Sequence, residues 1–201
     1  MKTRTRVLVL AACSAALVLP GVAAGQPMLN DVGATKAITC AACHGKNGNS
    51  RSSTMPILAG MDPAYFKKQM EAYAKGDRPS AEMEPYAKQV LDIGADDLAA
   101  HFARQKRAPT PISAPAAAVE RGRAASQLCV TCHGQDGRGD RAKLIPSLAG
   151  QPPGYLKEQM LLFRSDERNP KDQELKAIKA VMKRVPDAAL DDLAAYYSSL
   201  R

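Results

Sequence analysis

The sequence contains no tryptophan, and aromatic residues make up only 4% of its 201 positions. A domain of roughly 80 residues, two of which would fit in this length, is marginally stable on apolar burial alone. After the first 24 residues, no segment approaches the roughly 20 consecutive apolar residues that a membrane-spanning helix requires. The composition therefore argues against a membrane-spanning segment in the mature chain. It is consistent with a bulky apolar cofactor that enlarges a small core.

The first 24 residues have the features of a secretory signal peptide. Three basic residues precede an apolar run over residues 7–19, and small residues follow at positions 22–24. The run is too short to span a membrane, so the pattern predicts a signal peptide over residues 1–24 that is cleaved near Ala24. We therefore expect the mature protein to be exported to the periplasm.

Cys13 allows a second interpretation of this N-terminus. The segment Leu10-Ala11-Ala12-Cys13 resembles a lipoprotein cleavage box, which would leave a lipid anchor on the cysteine. The apolar run is short before Cys13 and continues past it. This favours cleavage near Ala24, with Cys13 discarded.

The other four cysteines lie in two segments of one pattern, Cys40-Ala41-Ala42-Cys43-His44 and Cys129-Val130-Thr131-Cys132-His133. Two thiols one helical turn apart can each add to a vinyl group of haem, and the following histidine then binds the iron. A zinc site would need further ligands in each copy, and His101 is the only other histidine. A redox-active dithiol or a disulfide would not explain a histidine after both segments. The two segments predict two covalently bound haem c groups.

The second half of the chain repeats the first with a shift of 89 or 90 residues. The matched positions outside the cysteine segments are Gly33 with Gly122, Pro56 with Pro146, Leu58-Ala59-Gly60 with Leu148-Ala149-Gly150, Tyr65 with Tyr155, Gln69-Met70 with Gln159-Met160, and Arg78 with Arg168. Two copies of this size indicate a duplicated domain. We predict a first domain over residues 25–107, a semi-rigid Pro/Ala-rich linker over 108–115 and a second domain over 116–201. These domains are called the first and the second copy below.

Apolar residues recur at helical spacing in both copies, and no segment reads convincingly as a strand. The positions i, i+4 and i+7 are Phe66, Met70 and Tyr73 in the first copy and Leu156, Met160 and Phe163 in the second. The last helix of each copy places Leu98 four residues before Phe102, and Leu193 four residues before Tyr197. This spacing predicts an all-α fold.

Taken together, these motifs resemble the periplasmic cytochrome c4 family of dihaem class I cytochromes c. They are Cys-x-x-Cys-His-Gly, Pro-x-Leu-Ala-Gly, Tyr-x-x-x-Gln-Met and a following arginine, and they cover nearly the whole mature chain. The resemblance implies two tandem class I cytochrome c domains, each with a low-spin haem ligated by histidine and methionine. It also implies that Pro56 and Pro146 pack beside His44 and His133 and that their carbonyls accept the Nδ1 protons.

Arg78 and Arg168 are candidate partners for haem propionates. The planar guanidinium group suits a carboxylate, although a solvated surface charge would be equally compatible with the sequence.

The sixth iron ligand differs between the copies. A thioether favours ferrous iron and raises the reduction potential. In the first copy, Met83 follows Arg78 by a short loop, where the family places its ligand, and we predict that Met83 binds the iron. In the second copy, Ile178 lies opposite Met83, and Met182 is the only methionine after Arg168.

We predict Met182 as the sixth ligand of the second haem, reached through a longer loop. Lys176 and Lys179 lie nearby and are alternative ligands, and an open position is a third alternative.

The positive charge does not indicate a nucleic-acid partner. The formal net charge is +8 and the sequence pI is about 9.3, but removal of residues 1–24 takes away three basic residues and leaves +5. The propionates of two haems would lower the charge further. A basic patch that steers the protein to an acidic redox partner remains compatible with these values.

These features predict an electron carrier that is not an enzyme, because two six-coordinate haems leave no position for a substrate. It would pass single electrons between a respiratory donor complex or dehydrogenase and a terminal oxidase or reductase. Peripheral association with the inner membrane is compatible with that role. The alternative is a small haem enzyme or a fixed electron-transfer subunit with an open or unusually ligated second haem.

Overall fold

The computed structural model describes residues 31–108, 110–169 and 171–201. The predicted signal peptide, its cleavage near Ala24 and Cys13 lie outside the described residues. Within these ranges, no helix is both long enough and apolar enough to cross a membrane.

Each copy contains a matching series of α-helices. In the first copy they are α1 (Val32–Lys36), α2 (Ile38–His44), α3 (Pro63–Ala74), α4 (Met83–Ile93) and α5 (Ala95–Arg104). In the second copy they are α6 (Ala116–Ala125), α7 (Gln127–His133), α8 (Pro153–Arg164), α9 (Lys176–Arg184) and α10 (Asp187–Ser199). The part of the chain that the structure describes has no β-strand, only an isolated bridge between Asp140 and Ile145. The predicted all-α fold is confirmed, and the predicted linker lies between α5 and α6.

The first and last helices of each copy cross at a glycine. A Cβ atom on Gly33 would lie 2.7 Å from Cβ of His101, and one on Gly122 would lie 2.7 Å from Cβ of Tyr196. In both cases the added atom would also collide with a backbone carbonyl of the last helix. Glycine therefore permits the close packing of α1 on α5 and of α6 on α10. This packing fixes the direction from which the chain enters α2 and α7.

Asp31 ties α1 to α5 in the first copy. Its carboxylate accepts a hydrogen bond from the backbone N–H of Ala34 at 3.1 Å, which caps α1, and another from Arg104 at 2.9 Å. It also lies 3.2 Å from Nδ1 of His101, and this hydrogen bond is the main reason why the pKa of Asp31 falls to about 2. His101 is 6% exposed and is a packing residue at this crossing.

The apolar stripe predicted for the first copy lies in its core, whereas the one predicted for the second copy does so only in part, because Phe163 lies outside the second core cluster and stacks with Arg168. Phe66, Met70 and Tyr73 on α3 join Leu98 and Phe102 on α5 in a buried cluster. The second core contains Leu156, Leu193, Ala194, Tyr196 and Tyr197, with Met160 packed against it. The first core lies between α3, α4 and α5, since Ala87 and Val90 of α4 belong to it, and the second lies mainly between α8 and α10.

The N-terminus of α8 depends on the first copy for its cap. In α3, the Asp62 side chain accepts a hydrogen bond from the backbone N–H of Tyr65 at 2.9 Å. The matching position before α8 is Pro152, whose side chain accepts no hydrogen bond. Instead, the backbone N–H of Tyr155 donates to the carbonyl of Ser53 at 3.1 Å.

Gln151 forms a second link between the copies. Its side-chain oxygen accepts from the backbone N–H of Ile57 at 2.9 Å, and its Nε2 donates to the Ile57 carbonyl at 2.9 Å. The Gln151 side chain is buried at 3% exposure and therefore holds the backbone of the first copy directly after Pro56. The matching residue of the first copy is Met61, which packs on its own core.

The residues around the linker add further links. Arg107 donates to the carbonyl of Ala59 in the first copy at 3.2 Å and to the carbonyl of Ala149 in the second at 2.8 Å. Arg141 of the second copy donates to the carbonyl of Gly60 at 3.1 Å.

We expect Gly122→Ala to lower the free energy of unfolding by about 1–3 kcal/mol, the usual cost of overpacking. The added methyl group would push α6 away from α10. Urea denaturation followed by far-ultraviolet circular dichroism measures the change. The control is Arg123→Ala on the same helix, because the Arg123 side chain is 62% exposed and its loss should cost less than about 0.5 kcal/mol. Equal stability of Gly122→Ala and the wild type would contradict the close helix crossing.

Candidate haem sites

The four cysteines lie on two short helices that have the same geometry. In α2, Cys43 is exposed and Cys40 is partly buried, and in α7, Cys132 is exposed and Cys129 is partly buried. None of these four forms a disulfide in the described structure. Three-residue spacing on a helix puts both thiols of each pair on one face, as attachment to one planar group requires.

The histidine at the end of each of these helices has a fixed ring orientation. Nδ1 of His44 lies 2.9 Å from the carbonyl oxygen of Pro56, and Nδ1 of His133 lies 3.0 Å from that of Pro146. A carbonyl only accepts hydrogen bonds, so Nδ1 carries the proton in both rings. Nε2 therefore keeps its lone pair and is the nitrogen that can bind iron.

Burial keeps these imidazoles neutral. It lowers the pKa of His44 and of His133 below the ordinary histidine value, although the hydrogen bond to the proline carbonyl opposes the shift in each case. Metal binding requires the neutral form, so no proton has to be displaced from Nε2 at neutral pH.

Met83 lies against the same core as α2, the helix that carries Cys40 and Cys43. It is the first residue of α4, and the hydroxyl of Ser80 accepts a hydrogen bond from its backbone N–H at 3.2 Å. Its partly buried side chain packs against the same apolar cluster as Cys40. The structure thus brings Met83 and Cys40 to one core.

Met182 lies deeper in its helix than Met83 does. It is 3% exposed and stands in the seventh position of α9. When α10 is matched to α5 through Leu193 and Leu98, Met182 falls opposite Ala87, a fully buried core residue of α4. Ile178 falls opposite Met83. Among the described residues, the core cluster that holds Cys129 does not include Met182.

The two lysines named as alternatives have different surroundings. Lys179 is 7% exposed, and its ammonium group donates to the carbonyl of Asn169 at 2.7 Å and pairs with Asp166 at 2.7 Å. Lys176, at the start of α9, is exposed. The nitrogen of Lys179 would have to leave both partners to bind a metal.

Arg78 and Arg168 lie at the boundary between the copies, where they form one symmetrical network. Arg78 donates to Gln69 of its own copy at 2.8 Å, and to Tyr155 at 2.9 Å and Gln159 at 2.8 Å in the second copy. Arg168 makes the reciprocal contacts to Gln159 at 2.6 Å, to the Tyr65 hydroxyl at 3.1 Å and to Gln69 at 2.9 Å.

These guanidinium groups are buried without a carboxylate. Arg78 is 3% exposed and Arg168 is 5% exposed. Their hydrogen bonds go to neutral oxygens, and among the described residues no ion pair reaches either of them. Each group stacks on an aromatic ring of its own copy at 4.4 Å, Arg78 on Tyr73 and Arg168 on Phe163.

The Nε atom of each arginine is buried and has no hydrogen-bond partner. Two buried positive charges, each with a free donor, are the environment in which a carboxylate would be most strongly stabilised. The network therefore fits a haem propionate as the missing acceptor on each side.

The pKa of Tyr65 shows the effect of these two positive charges. Burial alone would raise the pKa of its hydroxyl, but the charges of Arg168 and Arg78 outweigh that effect and lower the pKa. A group that becomes anionic at this boundary is thus favoured.

Sequence reasoning did not assign a role to the polar partners of the arginines. Tyr65, Gln69 and their counterparts Tyr155 and Gln159 were identified only as repeated residues of the Tyr-x-x-x-Gln-Met motif. The signal was that these polar residues recur beside the apolar stripe in both copies. Gln151 gave no such signal, because it replaces a methionine of the first copy.

The comparisons with known proteins agree with this geometry. Residues 119–201 match the family model described as Cytochrome c. The chain is 30% identical over 175 residues to cytochrome c4 of Pseudomonas aeruginosa, with 84% of this chain and 87% of that protein covered. It is also 30% identical over 188 residues to the thiosulfate dehydrogenase electron acceptor of Stutzerimonas stutzeri (strain A1501), with 88% and 86% covered.

A solved structure shares the fold. The crystal structure of reduced recombinant cytochrome c4 from Pseudomonas stutzeri superposes with a TM-score of 0.76 at 27% identity and covers 84% of this chain and 97% of that chain. The chain therefore belongs to the cytochrome c4 family of dihaem class I cytochromes c and is an electron-transfer protein with covalently bound haem c.

Proposed function

We propose that this protein carries two haem c groups, one on each Cys-x-x-Cys-His helix, and passes single electrons between partner proteins in the periplasm. The observation that supports this best is the paired geometry of His44 with Pro56 and of His133 with Pro146. Both copies keep a neutral imidazole with its Nε2 free, so both are equipped to hold an iron.

Different residues of the chain would have different roles at each haem site. The thiols of Cys40 and Cys43, and of Cys129 and Cys132, form the thioether links. Bound haem supplies reversible one-electron exchange at its iron. The proline carbonyls hold the imidazole rings in one tautomer and one orientation, which limits the structural change that accompanies electron exchange.

The arginine network would hold the propionate side of both haems. Arg78 and Arg168 each have an unpartnered Nε donor in a buried, positively charged boundary. A positive charge near an iron centre stabilises the state with one more electron. We therefore infer that the network raises both reduction potentials and keeps the two copies in a fixed relative position.

We infer that the donor is a respiratory complex or a dehydrogenase and that the acceptor is a terminal oxidase or reductase. The relative named as a thiosulfate dehydrogenase electron acceptor supports a dehydrogenase as donor. The predicted signal peptide supports the periplasm as the place where these partners meet.

One observation favours a second candidate function, a haem enzyme or a fixed subunit with an open or unusually ligated second haem. Ile178 occupies the position of Met83, and Met182 occupies that of the core residue Ala87. If Met182 stays in the core, the second haem has a free coordination position.

The number of haems can be tested by mass. We expect the protein purified after expression with a cytochrome c maturation system to have the mass of residues 25–201 plus two haems. The Cys129→Ser/Cys132→Ser double variant should retain one covalent haem. A wild-type mass with a single haem would contradict the proposal, and a lipid-modified mass that includes Cys13 would contradict the predicted cleavage site.

The sixth ligands can be tested by the methionine-to-iron absorption band of the oxidised protein. We expect Met83→Ala and Met182→Ala each to remove about half of this band, because each variant should leave one intact haem. Met70→Leu is the control, since Met70 is a core residue that is 5% exposed. If the unmutated protein binds cyanide rapidly at one haem, the second candidate function replaces the first.

If that happens, Ile178→Met supplies a further check. It places a thioether in the position of Met83, so it should restore the missing half of the band and abolish rapid cyanide binding.

The arginine network can be tested through both reduction potentials. We expect Arg78→Gln to lower them and Arg78→Lys to lower them less, because lysine keeps the charge but lacks the planar, five-donor guanidinium geometry of arginine. Spectroelectrochemical titration measures both values. Arg141→Gln is the control, since Arg141 is exposed and makes one hydrogen bond across the boundary. Equal potentials in the wild type and Arg78→Gln would contradict the assignment.

A further inference from the structure

The two copies place different side chains at equivalent positions beside the first attachment cysteine. Phe102 of the first copy corresponds to Tyr197 of the second, and Ala37 corresponds to Ser126. Both side chains are buried, with Phe102 2% exposed and Tyr197 3% exposed. The second copy therefore has a buried hydroxyl group where the first copy has none.

Backbone contacts establish that Phe102 and Tyr197 are equivalent. The carbonyl of Phe102 accepts from the N–H of Gly60 at 2.8 Å, and the carbonyl of Tyr197 accepts from the N–H of Gly150 at 2.9 Å. Both rings also lie over the loop after the attachment helix. A Cβ on Gly48 would lie 2.9 Å from Cδ1 of Phe102, and the corresponding distance from Gly137 to Tyr197 is 3.1 Å.

Tyr197 and Cys129 lie in one core. Tyr197 belongs to the second core cluster, and the partly buried Cys129 packs against that cluster. The hydroxyl oxygen is buried and has no hydrogen-bond partner in the described structure. A buried hydroxyl without a partner is costly, and its persistence calls for an acceptor.

Ser126, whose carbonyl accepts from the backbone N–H of Cys129 at 2.8 Å, is another buried polar residue of this region. Its hydroxyl donates to the carbonyl of Arg123 at 2.8 Å, so toward Tyr197 it could only accept. Cys129 is the group whose hydrogen-bonding character changes on haem attachment. A thioether sulfur has no proton and can only accept.

We propose that the Tyr197 hydroxyl donates a hydrogen bond to the Cys129 thioether sulfur and thereby sets the potential of the second haem apart from that of the first. This inference rests on the proposed attachment of haem to Cys129. The hydrogen bond draws electron density from the sulfur at the edge of the macrocycle, which stabilises the ferrous state. Phe102 offers no such donor to Cys40 in the first copy.

The same burial keeps Tyr197 in its donating form. It raises the pKa of the Tyr197 hydroxyl, so the hydroxyl holds its proton at physiological pH.

The test is a reciprocal exchange in the protein with both haems attached. Tyr197→Phe should lower the potential of one haem, changing its reduced-to-oxidised ratio at fixed potential about threefold, or roughly 30 mV for a one-electron couple. Phe102→Tyr should raise the potential of the other haem. Spectroelectrochemical titration resolves the two components, and thermal unfolding checks that each variant is folded.

Two further readouts separate the proposal from a purely structural role. Resonance Raman bands of the carbon–sulfur bonds should shift in Tyr197→Phe, and the potentials of Ser126→Ala should stay at wild-type values. If Ser126→Ala reproduces the effect of Tyr197→Phe, the hydroxyl is bonded to Ser126 and the proposal is wrong. Unchanged potentials in Tyr197→Phe, or an equal shift of both haems, would also overturn it.

Failure of the proposed function would look different. In that case the mass of the purified protein would lack a haem at Cys129 and Cys132. The exchange experiment is interpreted only on protein whose mass includes both haems. In protein with both haems, a negative result bears on the role of Tyr197 and not on haem attachment. If Phe102→Tyr does not fold, the potentials and Raman bands of Tyr197→Phe decide whether the hydrogen bond exists.

Discussion

Two positive charges buried between the copies constrain the whole molecule. A guanidinium ion removed from water needs acceptors for its donors, and neither copy supplies enough of them alone. Arg78 takes two of its acceptors from the second copy, and Arg168 takes two from the first. Separating the copies would therefore remove hydrogen bonds from both arginines at once. This shared requirement holds the two copies against each other.

The local features of the sequence predicted local structure well. The helical stripe of Phe66, Met70 and Tyr73 is buried as expected, because its spacing alone determines which side of α3 is apolar. The proline carbonyls lie beside the histidines because twelve or thirteen residues of loop return the chain to the same place in both copies. In each case the partners are close in the chain, or repetition of the motif identifies them.

Contacts between distant residues were not predictable in the same way. The sequence offered Arg78 and Arg168 as propionate partners but did not indicate that Tyr65 and Gln69 would meet residues about a hundred positions away. The sixth ligand of the second copy was also ambiguous from sequence. Its position depends on where α9 begins, and a change of one helical turn exchanges Ile178 for Met182. Spacing in a sequence does not fix a helix boundary to within one turn.

The copies share an architecture but have diverged in the polarity of their cores. Tyr197 replaces Phe102, and Ser126 replaces Ala37. The charged residues of α9 are all basic, whereas α4 has both acidic and basic residues. The attachment and proximal positions remain equivalent. Differences of this kind beside the proposed haem sites could adjust a reduction potential without altering the fold.

In the contact between Gln151 and Ile57, a side chain of the second copy holds the backbone of the first. Gln151 belongs to the second copy, yet the backbone that it holds leads directly from the carbonyl that orients His44. The α8 cap at Ser53 binds the same loop. A chain that ended after the linker would keep every residue of its first haem site but lose the support behind the proximal histidine. The two copies are therefore not interchangeable parts.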